Sequence, residues 1–528
     1  MASIILHHAD FAYPSAPAEV FEDLSFLIDS SWRTGLVGRN GQGKTTLLRL
    51  IAGQLEPTAG RVEVPVRTRY FPGPAPRASR PTWEVVRDVI APFAAWERAM
   101  DDLLADGRPA ALERYAELHE RYLELGGYEM QAWIAREFDG MGLAAELMSR
   151  PFGSLSGGEQ TRALIVALFL DSAAFPLIDE PTNHLDRQGR QRLMAYLACK
   201  SGFLLVSHDR RFLDGAVDHI VSINRSDVRV NNGNYSQWRA HMDEQLEAER
   251  RSRHRIESTV ARLETAARST RQNAQSRERD KYRTGAMDKG FIGHRAAKQM
   301  KRARNVERRI AAELEEKRGL LKNAEKQRKL QVETAARHDE QLIVVQNLTV
   351  SAGGRVLFRE LSFAVAPGDR IAVAGPNGCG KTTLLDAICG GVPVHTGLVR
   401  RPAHVTLARG FQQPLWRDGA LGDHLASAGL DETRFRQLMG VLGIEAGVFD
   451  RDLATYSQGQ QKKVDLCRTL LAGADVLLWD EPLNYVDLIS REQIEAAVLD
   501  DGPTLVFVEH DQAFVERVAT GLIDLSPV

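Results

Sequence analysis

The chain has 528 residues, 43% hydrophobic and 26% charged, and its 68 Lys and Arg against 70 Asp and Glu leave a net charge of −2. That composition excludes a mainly disordered or collagen-like chain and a uniformly basic nucleic-acid binder, although a sum hides how charge is distributed. At roughly 150 residues per domain the length predicts two to four domains. No apolar run reaches the roughly 18 residues of a membrane helix, and the N-terminus lacks the basic and apolar stretches of a signal peptide. The four cysteines (Cys199, Cys379, Cys389, Cys467) include no CxxC pair, so a reducing cytoplasm is the simplest expectation.

In chain order, the first informative element is the apolar strand Thr34–Val37, followed by Gly38-Arg39-Asn40-Gly41-Gln42-Gly43-Lys44-Thr45-Thr46 and a helical pattern through Ile51. Strand, GxxxxGK[ST] loop and helix form the context of a phosphate cradle, built from backbone N–H groups and a helix N-terminus. Lys44 is expected to contact the β- and γ-phosphates of a nucleotide, and Thr45 to hold Mg²⁺. Next, Ser156-Gly157-Gly158-Glu159-Gln160 opens a helix and offers a second anion-binding start. The strand Phe175–Asp179 then ends in two carboxylates: Asp179 suits the Mg²⁺ shell, and Glu180 suits a base or a polarising group for an attacking water. His208 follows 28 residues after Glu180.

The segment Asp243–Glu340 differs in character, with 26 Lys or Arg, 17 Asp or Glu and no Pro. Its net +9 leaves −11 for the rest, and between Arg268 and Arg309 the net is +10. Apolar residues at Ile256, Val260 and Leu263, and at Val306, Ile310, Leu314 and Leu321, predict two long helices in an antiparallel hairpin. Helices of about 40 residues would project roughly 60 Å. The expected tip, about 284–294, carries three glycines with Met287, Phe291 and Ile292. These apolar groups either plug the hairpin end or stack on bases. The basic face is expected to contact RNA phosphates.

The motifs then recur in the same order. Gly375-Pro376-Asn377-Gly378-Cys379-Gly380-Lys381-Thr382-Thr383 repeats the phosphate loop at an offset of 337. Ser457-Gln458-Gly459 and Asp480-Glu481 repeat the helix start and the acidic pair at an offset of 301, and His510 repeats His208 at 302. The first copy therefore carries about 36 extra residues between its first two motifs. Lys381, Thr382, Asp480 and Glu481 take the roles of their counterparts. A second anion-binding helix start in each half makes sense if the halves face each other and each completes the other's nucleotide site.

These motifs resemble ATP-binding cassette ATPases: the phosphate loops, LSGGEQ at Ser156, the Asp-Glu pairs and the switch histidines His208 and His510. Two cassettes joined by a charged helical linker resemble the F family, whose members bind ribosomes. The resemblance implies an α/β fold of two tandem P-loop cassettes, 1–238 and 341–528, joined by a long antiparallel α-helical hairpin linker over 239–340. It implies ATP and Mg²⁺ as ligands and an intramolecular cassette dimer in a monomeric chain, with Ser156 facing the Lys381 site and Ser457 facing the Lys44 site. It implies a linker reaching 23S rRNA and tRNA at the ribosomal exit site, and it equates the extra residues with an arm, about Trp83–Tyr128. The segments Trp479–Arg491 and Asp288–Arg302 resemble ribosome-protection members that confer antibiotic resistance; a housekeeping translation factor is the alternative. A transporter's ATPase subunit and a DNA-repair cassette protein fit less well. The resemblance also implies an aromatic on adenine, Tyr13 or Phe11 in the first copy, with none at Leu348–Ala352. It implies a Gln sensing metal and water: Gln413 of the Gln412-Gln413 pair in the second copy, with no Gln between Gln54 and Gln131 in the first. Two ATP sites of unequal turnover are expected.

Overall fold

A computed structural model describes residues 2–14, 19–73, 78–171, 173–183, 185–224, 227–245, scattered positions from 247 to 265, 330, 332, 340–352, 355–376, 378–391 and 396–525. The chain divides into two compact units, one formed by Met1–Trp238 with Lys329–Val528 and the other by Arg239–Arg328.

In the first unit, the N-terminal cassette runs β1 (Ser3–Phe11), β2 (Phe21–Asp29), β3 (Arg33–Val37), α1 (Lys44–Ile51), β4 (Ala59–Glu63), β5 (Arg67–Phe71), α2 (Thr82–Ile90), α3 (Phe93–Asp106), α4 (Pro109–Glu124), α5 (Met130–Gly140), α6 (Gly157–Leu170), β6 (Ala174–Asp179), α7 (Arg187–Ala198), β7 (Phe203–Val206), α8 (Arg210–Ala216), β8 (His219–Asn224) and β9 (Asp227–Asn232). The C-terminal cassette runs β10 (Ile343–Ala352), β11 (Arg355–Val365), β12 (Arg370–Ala374), α9 (Lys381–Cys389), β13 (Thr396–Arg400), β14 (Leu407–Gly410), α10 (Leu421–Ala428), α11 (Glu432–Val441), α12 (Gln458–Leu470), β15 (Val476–Asp480), α13 (Leu488–Asp501), β16 (Leu505–Val508), α14 (Gln512–Val518) and β17 (Gly521–Asp524).

The sheets repeat as the motifs do. Each cassette has a three-stranded antiparallel sheet, β2-β1-β4 or β11-β10-β13. Each also has a main sheet, β5-β6-β7-β3-β8-β9 or β14-β15-β16-β12-β17, in which the phosphate-loop strand lies between two parallel neighbours. Strands covered on both faces must be apolar throughout, and β7 (Phe203-Leu-Leu-Val206) and β16 (Leu505-Val-Phe-Val508) are buried at every position. Parallel strands put their C-terminal ends on one edge. The loops after β3 and β6, and after β12 and β15, therefore meet there.

The extra residues of the first copy form the α3–α4 hairpin. Its turn combines a left-handed Gly107 after α3 with Pro109 at the start of α4. Without residues 93–128, a span of 36, the α2–α5 connection would have three residues, as the α10–α11 connection 429–431 does. Helix α2 thus has its counterpart in α10, and the hairpin begins at Phe93, inside the expected span 83–128.

Leu330 and Val332, assigned to the linker from sequence, pack in the apolar core of the C-terminal cassette, and the Val332 N–H donates to Asp501 Oδ2 at 2.6 Å. In the second unit the described residues between 239 and 265 are helical. The expected tip and return helix lie outside the described residues. Among the described residues no helix is long and apolar enough to cross a membrane.

Candidate nucleotide sites

The β3–α1 turn is shaped by glycine. Gly41 and Gly43 have φ of +85° and +84°, and a Cβ on Gly43 would lie 2.5 Å from the Phe21 ring. Arg39 N–H donates to Gln42 Oε1 at 2.8 Å, which closes the loop around Asn40 and Gly41. Lys44 Nζ donates to Gly38 O and Arg39 O at 2.8 and 3.1 Å. Lys381 repeats this on Gly375 O and Pro376 O at 2.9 and 3.0 Å, with Gly378 and Gly380 again at positive φ. Cys379, within this loop, is buried, and Asn377 lies outside the described residues. Burial holds Lys44 below the ordinary lysine range, partly countered by Asp487 and Glu180.

At the strand end, Asp179 Oδ2 accepts from Thr45 Oγ at 2.8 Å and from Tyr70 OH at 3.1 Å. In the second cassette the neighbouring Thr382 hydroxyl and Arg409 favour the charged Asp480 carboxylate, and Arg409 Nη2 lies 3.4 Å from Asp480 Oδ2. Burial raises both aspartates above the ordinary carboxylate range. Asp480 Oδ1 is buried with no hydrogen-bond partner. A hard-oxygen pair of hydroxyl and carboxylate, with a carboxylate oxygen left over, fits Mg²⁺, which is held by one or two protein oxygens plus phosphates.

Glu180 and Glu481 both adopt positive φ, 50° and 46°, a strained conformation for non-glycine residues that is common where a side chain is aimed at chemistry. His208 Nε2 lies 3.1 Å from Glu180 Oε1, and His510 Nε2 lies 3.5 Å from Glu481 Oε1. In each cassette the structure thus brings together the phosphate loop, the acidic pair and the histidine, His208 or His510.

Gln412, not the expected Gln413, donates from Nε2 to Glu481 Oε2 at 3.0 Å, while Gln413 Oε1 accepts from Arg417 at 2.6 Å. Both glutamines lie in the bend that follows β14, and the two side chains take different partners there. Pairing of β5 with β6 and of β14 with β15 aligns Phe71 with Gly410, so Gly73 stands where Gln412 stands and offers no side chain. Of the two candidate adenine-stacking aromatics, Phe11 is buried, whereas half-buried Tyr13 extends its hydroxyl to Thr46 Oγ1 at 2.9 Å. Thr383, at the matching position, is half-buried.

Ser156 and Ser457 are N-caps of α6 and α12, each in a capping box with Glu159 or Gln460. Gly157 and Gly158 are the first residues of α6. The start of α12 faces the first phosphate loop. Asn40 N–H donates to Asp487 Oδ2 at 3.2 Å and Asn40 Nδ2 to Tyr485 O at 2.6 Å. A Cβ on Gly459 would lie 2.5 Å from Asn40 Nδ2. On the other side, Asn377 and His184, which match Asn40 and Tyr485, lie outside the described residues.

Sequence reasoning missed Asp487. It caps α13 through Ser490 N–H, and it forms a buried ion pair with Lys463 at 2.5 Å. The signal was available in Val486-Asp487 repeating Leu185-Asp186, but only the fold places it against another cassette. Arg210–Glu495 (2.6 Å) and Tyr235–Glu492 (2.8 Å) join the cassettes further out.

Residues 21–183 and 358–484 match the family described as ABC transporter. The protein YdiF of Bacillus subtilis (strain 168) is 30% identical over 96% of this chain and 78% of its own. ABC transporter F family member 2 of Arabidopsis thaliana is 27% identical over 96% and 74%. Ribosome protection protein VmlR of Bacillus subtilis (strain 168) is 26% identical over 98% and 85%. A solved complex of archaeal ribosomal stalk protein aP1 with archaeal ribosome recycling factor aABCE1 superposes with a TM-score of 0.55 at 20% identity, covering 98% of this chain and 87% of that one, a likeness of fold. With two matched cassettes in one chain and relatives along nearly its whole length, this protein belongs to the ATP-binding cassette family, in its F branch.

Proposed function

We propose that the chain hydrolyses ATP in the cytoplasm and binds the ribosome at its tRNA exit site, where its linker contacts 23S rRNA and tRNA and protects the peptidyl-transferase centre from antibiotics. The observation that carries the ATPase reading is Asn40 set between Tyr485, Asp487 and Gly459. The first phosphate loop is completed by the second cassette's helix start, so nucleotide bound there would be held by both halves. Lys44 and Lys381 would exchange carbonyl partners for phosphate oxygens and stabilise charge on the γ-phosphate. Glu180 and Glu481 would orient the attacking water and draw its proton. His208 is half-buried, and desolvation, with Lys44 and Arg491, holds it well below the ordinary histidine range. It would act as a neutral hydrogen-bonding group. Thr45 with Asp179, and Thr382 with Asp480, would hold the magnesium ion, which supplies neutralisation of phosphate charge when bound.

The ribosome reading is supported by the net +10 of Arg268–Arg309 and by the likeness to a ribosome protection protein along the whole chain. The test is co-sedimentation of the Glu180→Gln, Glu481→Gln chain with ribosomes in ATP, beside expression of wild-type and tip-deleted (284–294) chains in a drug-susceptible host. ATP-dependent association and tip-dependent protection are expected. No association overturns ribosome binding. Association with unchanged drug susceptibility overturns protection in favour of a housekeeping role on stalled or idle ribosomes.

A further inference from the structure

Helix α12 carries a polar stripe that its repeat lacks. Lys462 and Asp465 are 2% and 3% exposed, and with Arg468 they follow at spacings that place them on one helix face. Lys462 Nζ donates to Phe411 O at 2.6 Å, Asp480 O at 3.2 Å and Gln412 O at 3.4 Å. Asp465 Oδ2 accepts the Phe411 N–H at 3.0 Å, and Arg468, paired with Asp465 at 2.7 Å, donates to Arg409 O at 2.5 Å. Phe411 is thus held by both its N–H and its carbonyl, one residue before Gln412 reaches Glu481.

At the matching positions of the N-terminal cassette stand Thr161, Leu164 and Ala167, and Gly73 replaces Gln412. The fold therefore does without the stripe where there is no glutamine to aim. A buried ammonium is unfavourable unless its donors are met, and here three carbonyls meet three donors.

We propose that Lys462, with Asp465, is a positioning residue of the Lys381 site that fixes the loop from which Gln412 contacts Glu481. This rests on the reading that the site hydrolyses ATP. Because α12 begins at the serine facing the Lys44 site, the clamp also joins the element completing one site to the loop serving the other.

The test is steady-state ATP turnover of the full chain carrying Lys462→Met, Lys462→Arg, Gln412→Ala, and Lys462→Met with Gln412→Ala. Lys462→Met is expected to lower kcat roughly ten-fold at unchanged KM, and Lys462→Arg to retain most of the rate. The double variant is expected to be no slower than Gln412→Ala alone, because both act through one contact. An unchanged kcat, a rise in KM alone, or a double loss equal to the product of the single losses overturns the proposal. Hydrogen exchange at the Phe411 and Gln412 amides gives a second readout, expected to rise in Lys462→Met while β15 stays protected. If the wild type turns over no ATP, the ATPase reading falls, and unchanged exchange there still overturns the clamp. Should Lys462→Met fail to fold, Lys462→Thr, the residue of the other cassette, replaces it.

Discussion

Glu180 and Glu481 occupy equivalent places in the two repeats, yet their surroundings push them in opposite directions. Burial, with Asp179, drives Glu180 up to about 7 against the opposing pull of Lys44, Arg491 and the His208 N–H. At Glu481 burial also acts upward, but His510, Gln412 and Lys381 outweigh it and hold the carboxyl below its ordinary range. The linkage follows from the signs. Glu180 supports the fold below its unfolded value of 4.5 and loses that contribution as pH rises through about 7. Glu481 supports the fold above its unfolded value and loses that contribution as pH falls through its folded one. Without nucleotide, Glu180→Gln should therefore raise Tm at pH 8, by the equivalent of about 3 kcal/mol, with the gain fading towards pH 4.5. Glu481→Gln should lower Tm at pH 8. Thermal unfolding of both variants at the two pH values is the check, and shifts of the same sign would refute the assignment. The Gln412-Gln413 pair is legible in sequence as a pair. Which member meets Glu481 depends on how the chain bends after β14, and spacing alone cannot settle it.

At the scale of elements, the start of α12 is packed too closely against the first phosphate loop and Tyr485 for any side chain to be added there. On Gly459 a Cβ would lie 2.5 Å from both Asn40 Nδ2 and the Tyr485 carbonyl, and Tyr485 itself is held at φ +61°. The carbonyl belongs to backbone and cannot swing away. Gly459→Ala should therefore separate the α12 start from the first phosphate loop. In a titration with a fluorescent ATP analogue, one of two sites should weaken by an order of magnitude while the other keeps its affinity. Equal weakening of both would show a general folding defect. The phosphate loops, helix starts and acidic strand ends were readable because each is a short local string with its own backbone requirement. Asp487, Lys462 and Asp465 were not, because their partners are 447, 51 and 54 residues away in sequence. The arm shows the same division. Its size is readable from the difference between repeat offsets, but its start at Phe93 depends on recognising α2 as the counterpart of α10.

Across the whole molecule the charges are segregated, and the total of −2 conceals it. The acidic excess lies in the cassettes, and +9 lies in Asp243–Glu340, concentrated between Arg268 and Arg309. A basic segment meeting RNA releases the counterions condensed on each phosphate it neutralises. The logarithm of affinity then falls linearly with the logarithm of salt, by about 0.7 to 0.9 per phosphate. The rest of the chain, net −11, would be repelled by the same RNA, so ribosome affinity should come chiefly from this segment. Replacing Lys301, Arg302, Arg304, Arg308 and Arg309 by Gln removes five cations without touching a cassette. Ribosome binding, measured by sedimentation from low to physiological salt, should weaken, and its salt slope should become shallower by about 4. ATP turnover without ribosomes should stay at the wild-type rate, since none of the five belongs to a nucleotide-site motif in the sequence. An unchanged slope would place the RNA contacts elsewhere, and a loss of basal turnover would mean that the linker supports the cassettes and does not merely extend from them.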